Sequence, residues 1–216
     1  MSNIFRIAID GPGGAGKSTI AKMVAKELGI DYIDTGAMYR AIGYKTVAKG
    51  IDVENLDQLK AMLDETEIDF SNGNIILDGN IVNEEIRTPE MSMMASKVSA
   101  ILEVREKLVA LQRAMGQTKS IIMDGRDIGT NVLTDAEYKF FMTASAEERA
   151  NRRYKELIEK GQEVVFEDVL KDIEQRDYND MNRKLNPLKA ADDAIMLDTT
   201  GMTIDEVVNK ILSEVK

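Results

Sequence analysis

Apolar positions along this chain alternate between two periods, and that alternation sets the expected architecture. Residues 4–9 form a short apolar run with the length of a buried strand, and Ile20, Ala21, Val24, Ala25 and Leu28 then recur at helical spacing. Gly29 follows where a helix commonly ends on a left-handed residue. A short strand over 31–34 leads into a second helix through Met38, Ala41, Ile42 and Val47, ended at Gly50; Leu56, Leu59 and Leu63 mark a third. The rhythm changes over 67–83, where apolar pairs and triplets lie between S-N-G-N and D-G-N at hairpin spacing, which predicts a three-stranded antiparallel meander.

Thr88-Pro89 opens the next helix, with threonine at the cap and proline at its first position; the pattern breaks near Ala100 and resumes through Val104, Leu108, Leu111 and Met115. Residues 120–123 and 138–142 read as buried strands. Ser145 with Glu148 predicts a capping box for a charged helix over 146–160, which is expected to be exposed and mobile. Phe166, Val169, Leu170 and Ile173 mark another amphipathic helix. Residues 195–197 give the last strand, and Thr203 with Glu206 caps a terminal helix. Five strands separated mostly by helices predict an α/β three-layer fold: a parallel sheet covered on both faces, with ligands at the carboxyl ends of its strands. The antiparallel part, 66–90, reads as an insertion into one domain spanning 1–216, and 146–165 as a helical lid.

Chemistry concentrates at one stretch between the first strand and first helix: Gly11, Pro12, Gly13, Gly14, Ala15, Gly16, Lys17, Ser18 and Thr19. Its spacing fits the nucleoside-triphosphate loop, in which glycines let backbone N–H groups face a polyphosphate. In this arrangement Lys17 reaches the outer phosphates, the Ser18 hydroxyl holds Mg²⁺, and the helix directs its positive end at the anion. Asp124, closing a buried strand, stands where a second carboxylate of such a site is expected. Thr35-Gly36, residues 124–127 and 143–145 also fall at strand ends, so one crevice is expected to collect them.

Bulk properties narrow the partners. The 216 residues suffice for one α/β domain, and the formal charge of −10, from 38 acidic against 28 basic residues, disfavours extended nucleic-acid binding. With no cysteine the chain has no disulfide or thiolate metal site, and with no histidine it has no imidazole base. No run reaches transmembrane length, and the loop begins too early to leave room for a removable signal; a cytoplasmic protein, a monomer, is expected. The N/T-K-x-D segment of GTP switches is lacking, since Asn182-Arg183-Lys184-Leu185 has neither the order nor the aspartate. Length and charge fit a small-metabolite kinase.

Six segments together resemble the bacterial cytidylate kinases, of the nucleoside monophosphate kinase group: G-P-G-G-A-G-K-S-T from Gly11, D-T-G-A-M-Y-R from Asp34, E-I-R-T-P-E from Glu85, D-G-R-D-I-G-T from Asp124, S-A-E-E-R-A-N-R-R from Ser145, and Arg176, Asp177, Asp180 and Arg183 in R-D-x-x-D-x-x-R. The resemblance covers essentially the whole chain, and the meander matches that family's enlarged monophosphate-binding insertion. It implies transfer of the γ-phosphoryl group of ATP to CMP or dCMP with Mg²⁺, within pyrimidine nucleotide metabolism. It also implies roles. Arg40, Arg126 and Arg183 clamp the acceptor's phosphate and, with Lys17, form the catalytic set; Thr35 stands with Arg40 among the acceptor-binding positions; Arg176 and Asp180 meet the sugar; Ser96, Arg105 and Asp127 read the base. One or two of Arg149, Arg152 and Arg153, with Arg153 the first choice, reach the ATP phosphates. Competing readings stay open at this point: a kinase for UMP or AMP, a module that senses ATP without transfer, Arg105 as a solvated surface charge, and Arg176, Asp180 and Arg183 as intrahelical ion pairs.

Overall fold

A computed structural model describes residues 4–71 and 73–215. In chain order its elements are β1 (Arg6–Asp10), α1 (Lys17–Leu28), β2 (Asp31–Asp34), α2 (Thr35–Ala48), α3 (Leu56–Asp64), β3 (Ile68–Ser71), β4 (Asn74–Leu77), β5 (Asn80–Ile81), α4 (Pro89–Val98), α5 (Leu102–Thr118), β6 (Ile121–Gly125), a π turn (Ile128–Val132), β7 (Tyr138–Thr143), α6 (Ala146–Glu159), α7 (Phe166–Asn182), β8 (Ile195–Asp198) and α8 (Ile204–Glu214). They assemble as two compact units, one running to Tyr32 and resuming at Thr118, the other covering 33–117. No described helix is long and apolar enough to cross a membrane.

The first unit is organised on a five-stranded parallel sheet in the order β2-β6-β1-β7-β8. The central strand β1 pairs with β6 and β7, so Ile7 and Ile9 are fully buried, as its unbroken apolar run requires. Ile20 and Val24 of α1 and Val207, Val208 and Ile211 of α8 pack against the same core with Ile122, Phe140 and Met142. Register brings Asp10 level with Gly125 and Phe141, and Thr143 level with Asp198, so the strands deliver their last residues to one edge.

The helix α6 departs from expectation. It is charged on most faces but is not fully exposed: Ala150 and Leu157 are buried against Val169 of α7, with Tyr154, Phe166, Leu170 and Ile173 completing the seam. The Tyr154 and Phe166 rings meet edge to face at 5.9 Å. A small apolar residue hidden among charges gives a weak periodic signal, which is why the seam is hard to see in sequence. The expected capping box is also only half made, because the Ser145 hydroxyl accepts from Glu148 N while the Glu148 carboxylate accepts from Arg152 instead.

In the second unit α2 packs on α4 at Gly43, where an added Cβ would come within 2.8 Å of Met94 Cγ. Thr88 caps α4 through Met91 N, and the helix stops at Val98 before α5 starts at Leu102, matching the expected break. β3, β4 and β5 form the antiparallel meander. Asp78 and Gly79 both take positive φ, 48° and 79°, as a two-residue hairpin demands. Asn72, in the other expected turn, lies outside the described residues. The buried Lys45 ties α2 to this sheet by donating to Asp78 at 2.5 Å and to the Glu65 carbonyl at 3.2 Å.

Candidate active site

Backbone geometry builds the phosphate loop before any side chain contributes. Gly11 sits so close to β7 that an added Cβ would lie 1.9 Å from the Met142 carbonyl oxygen, and Gly14 and Gly16 have φ of 75° and 85°. Gly16 ends the loop as the cap residue of α1, whose first turn carries Lys17, Ser18 and Thr19. The Lys17 ammonium is buried and donates to the Pro12 carbonyl at 2.7 Å. Burial, and next the Arg126 guanidinium with Arg176 behind it, pushes the lysine down to about 7 against the pull of Asp124 and Asp10. A cation so crowded by its own kind is a strong receptor for a polyanion.

Ser18 Oγ donates to Asp124 Oδ2 at 2.9 Å, and Tyr32 Oη donates to Asp124 Oδ1 at 2.7 Å. The tyrosine thereby fixes the carboxylate so that its second oxygen faces the serine. A hydroxyl and a carboxylate side by side at a triphosphate loop form a hard-oxygen pair suited to Mg²⁺, which keeps most of its shell from water and phosphate. Among the described residues no cluster of three acidic side chains offers an all-protein metal cage.

Several guanidinium groups gather near this loop, and carboxylates steady most of them. Arg126 Nε donates to Asp180 at 2.7 Å, and Arg183 Nη2 to Asp127 at 2.9 Å. Burial lifts the Asp180 carboxyl, but Arg126, Arg176 and Arg183 outweigh it and hold the group below the usual carboxylate range. Arg126 and Arg176 lie 3.4 and 3.6 Å from where a Gly13 Cβ would stand, and Arg152 lies 3.7 Å from that position at Gly16. Arg153 turns to Glu156 on its own helix. Arg149 is buried and bonds to the loop itself, to Asp177 and to the Ala144 carbonyl. The structure thus brings Lys17, Ser18, Asp124, Arg126, Asp127, Arg176, Asp180 and Arg183 around one glycine turn. The ion-pair alternative for the last three fails in its simple form, because Asp180 and Arg183 bond to Arg126 and Asp127 from another element.

The second unit carries the remaining residues. Thr35 begins α2 and is buried; Asp34 caps this helix through Ala37 N at 2.7 Å and receives Arg40 Nη2 at 3.1 Å. Arg105 is only 3% exposed and donates to the Ser99 carbonyl, so it is not a solvated surface charge. Ser96, half-buried on α4, contributes its carbonyl to the Ser99 hydroxyl.

Two residues escaped the sequence reading. Asp10 ends β1 and accepts from Ile128 N and Gly129 N, both at 2.8 Å, and so anchors the π turn behind Arg126 and Asp127. Burial pushes it up to about 6 despite these two donors. The signal was available: like Asp124, it is a carboxylate closing an apolar strand. The other is Tyr32, whose bond to Asp124 spans 92 positions and leaves no local trace.

Comparison with known proteins agrees with this geometry. Among solved structures, an uncharacterized protein from Eubacterium ventriosum shares the fold over 99% of this chain and 98% of its own with TM-score 0.56 at 14% identity. Shikimate kinase from Bacteroides thetaiotaomicron does so over 99% of both chains with TM-score 0.50 at 12% identity. By sequence, the cytidylate kinase of Clostridioides difficile strain 630 is 54% identical over 100% of this chain and 99% of its own. That of Caldicellulosiruptor saccharolyticus is 55% identical over 96% and 94%. The cytidylate kinase family model matches residues 7–216, and with relatives this similar at full length the chain belongs to the cytidylate kinase family.

Proposed function

We propose that this protein transfers the γ-phosphoryl group of ATP to CMP or dCMP, giving ADP and the pyrimidine diphosphate. The observation that carries this reading is the collar of guanidinium groups pinned by carboxylates around the glycine turn, Arg126 by Asp180 and Arg183 by Asp127. Forks held in advance lose little freedom when they bind phosphate oxygens bidentately.

The attacking oxygen of a nucleoside monophosphate is already ionised at neutral pH, so no base is required, in keeping with the absence of histidine. Rate then comes from alignment and from neutralising charge. Lys17 and the loop N–H groups hold the donor's outer phosphates, and Arg152, beside Gly16, is better placed than Arg153 to join them. Arg40, Arg126 and Arg183 take the acceptor's phosphate, while Arg176 and Asp180 take its sugar. Ser18 and Asp124 would hold Mg²⁺, which when bound neutralises charge on the phosphates.

Base choice falls to Ser96, Arg105 and Asp127. Cytosine offers acceptors to an arginine and an amine to a carboxylate. Asp127 already accepts from Arg183 on one oxygen and from Asn131 on the other, and a carboxylate has lone pairs left for an exocyclic amine. Uracil would set a carbonyl against it, leaving an acceptor unpaired at a cost of about 2 kcal/mol, or about thirty-fold. The test is a coupled assay of ADP release with ATP and each of CMP, dCMP, UMP, AMP and GMP. CMP and dCMP should lead UMP by about thirty-fold in kcat/KM. An AMP preference would overturn the base assignment, and ATP binding without transfer to any monophosphate would overturn the activity.

A further inference from the structure

We propose that Arg149, held by Asp177, is a positioning residue of the phosphate loop: it fixes the peptide between Gly13 and Gly14 so that the Gly14 N–H faces the bound phosphate. Arg149 sits in the first turn of α6, is 4% exposed, and spends its fork on three elements at once. Nε donates to the Ala144 carbonyl at 2.9 Å, Nη1 to the Gly13 carbonyl at 2.9 Å and to Asp177 Oδ1 at 3.1 Å, and Nη2 to Asp177 Oδ2 at 2.5 Å.

In a trans peptide the C=O and the following N–H point in opposite directions. Drawing the Gly13 oxygen toward α6 therefore turns the Gly14 hydrogen away from it. Glycine stands on both sides of this peptide, so no Cβ resists its rotation, and Gly14 already has φ of 75°. Left untethered, the same peptide can turn over and present an oxygen to the phosphate, replacing attraction with repulsion. The backing is close: a Cβ on Gly14 would lie 3.3 Å from that of Arg149. Asp177 supplies what a buried guanidinium needs, an opposite charge in bidentate geometry, and it links the loop's orientation to α7. Arg149 thereby differs from an arginine that touches phosphate directly.

This inference rests on the reading of residues 11–19 as the triphosphate loop, and the experiment separates the two. Binding of ATP and of CMP to the full chain is measured by calorimetry for the wild type, Arg149→Met, Arg149→Lys and Asp177→Asn, with steady-state kcat and KM and thermal unfolding alongside. The Gly14 amide is followed by ¹⁵N NMR in the ligand-free proteins. Arg149→Met should weaken ATP binding about ten-fold and leave CMP binding within two-fold; Arg149→Lys, which keeps the charge without the fork, should recover only part. Asp177→Asn should show about a three-fold loss. The free-state Gly14 signal should shift in all three. Should Arg149→Met fail to fold, Asp177→Asn and Arg149→Lys carry the test. Unchanged ATP affinity, equal weakening of ATP and CMP, or an unmoved Gly14 signal would each overturn the positioning role; a wild type that binds no ATP would instead overturn the loop reading.

Discussion

Arginine bonds in the two compact units differ in the stretch of chain they span. In the unit that carries the phosphate loop, Arg126, Arg149 and Arg183 bond to carboxylates 54, 28 and 56 positions away. In the unit spanning 33–117, Arg40 bonds to Asp34 and Arg105 to the Ser99 carbonyl, each six positions away. The first arrangement exists only once the sheet and its helices have assembled, whereas the Arg40–Asp34 pair follows from the local course of one helix and its flank. The arginine pairs beside the phosphate loop are therefore tied to global stability, while the Arg40–Asp34 pair on α2 can be lost at less cost to the fold.

Breaking one pair of each kind puts this difference to its largest test. Asp180→Ala removes the direct ion-pair partner of the mostly buried Arg126 and should cost about 3 kcal/mol in urea unfolding. Asp34→Ala removes a helix cap and a partly exposed ion pair and should cost about 1–2 kcal/mol. Equal costs would erase the distinction.

A smaller effect is expected at the base. Asp127→Ala should lower the CMP-over-UMP ratio in kcat/KM by about thirty-fold, through loss of the carboxylate that penalises uracil. A variant that keeps the wild-type ratio removes Asp127 from base reading and leaves it as a structural partner of Arg183 and Asn131.

The smallest effect concerns protons. Lys17 stands near 7 in the folded chain against an ordinary value of 10.5. Between these values the unfolded chain binds more protons than the folded one, so this group makes stability rise with pH across that window. Polyphosphate favours the ammonium form. ATP affinity should therefore fall as pH rises above about 7, by at most ~1.4 kcal/mol per pH unit, with uptake of up to one proton. Calorimetry in buffers of different ionisation enthalpy reads that uptake directly, and Lys17→Met should abolish it.

Local chemistry was legible in the sequence where it is written within one turn or one helix. Thr88 with Pro89, the reciprocal cap of Thr203 with Glu206, and the Asp78-Gly79 hairpin appear where spacing predicts them. The same S/T-x-x-E pattern was met only halfway at Ser145, because Arg152, one turn along, claims the glutamate. The number of parallel strands followed from alternation, but their order did not, since a crossover helix does not record which strand its successor will join. For the site, the loop, Asp124 and the arginine positions were readable as residue types. Which carboxylate steadies which arginine was not, nor was the burial of Arg149, because its three partners lie on other elements.

The crowding of Gly11 against Met142 has a bearing on lineage. Any descendant that keeps this sheet must keep a residue without a side chain at position 11, whether or not nucleotides still visit, because the neighbouring strand closes that space first. A degenerate copy that had abandoned its reaction would retain the first letter of the motif, and only drift at Lys17 and Ser18 would betray the lost trade.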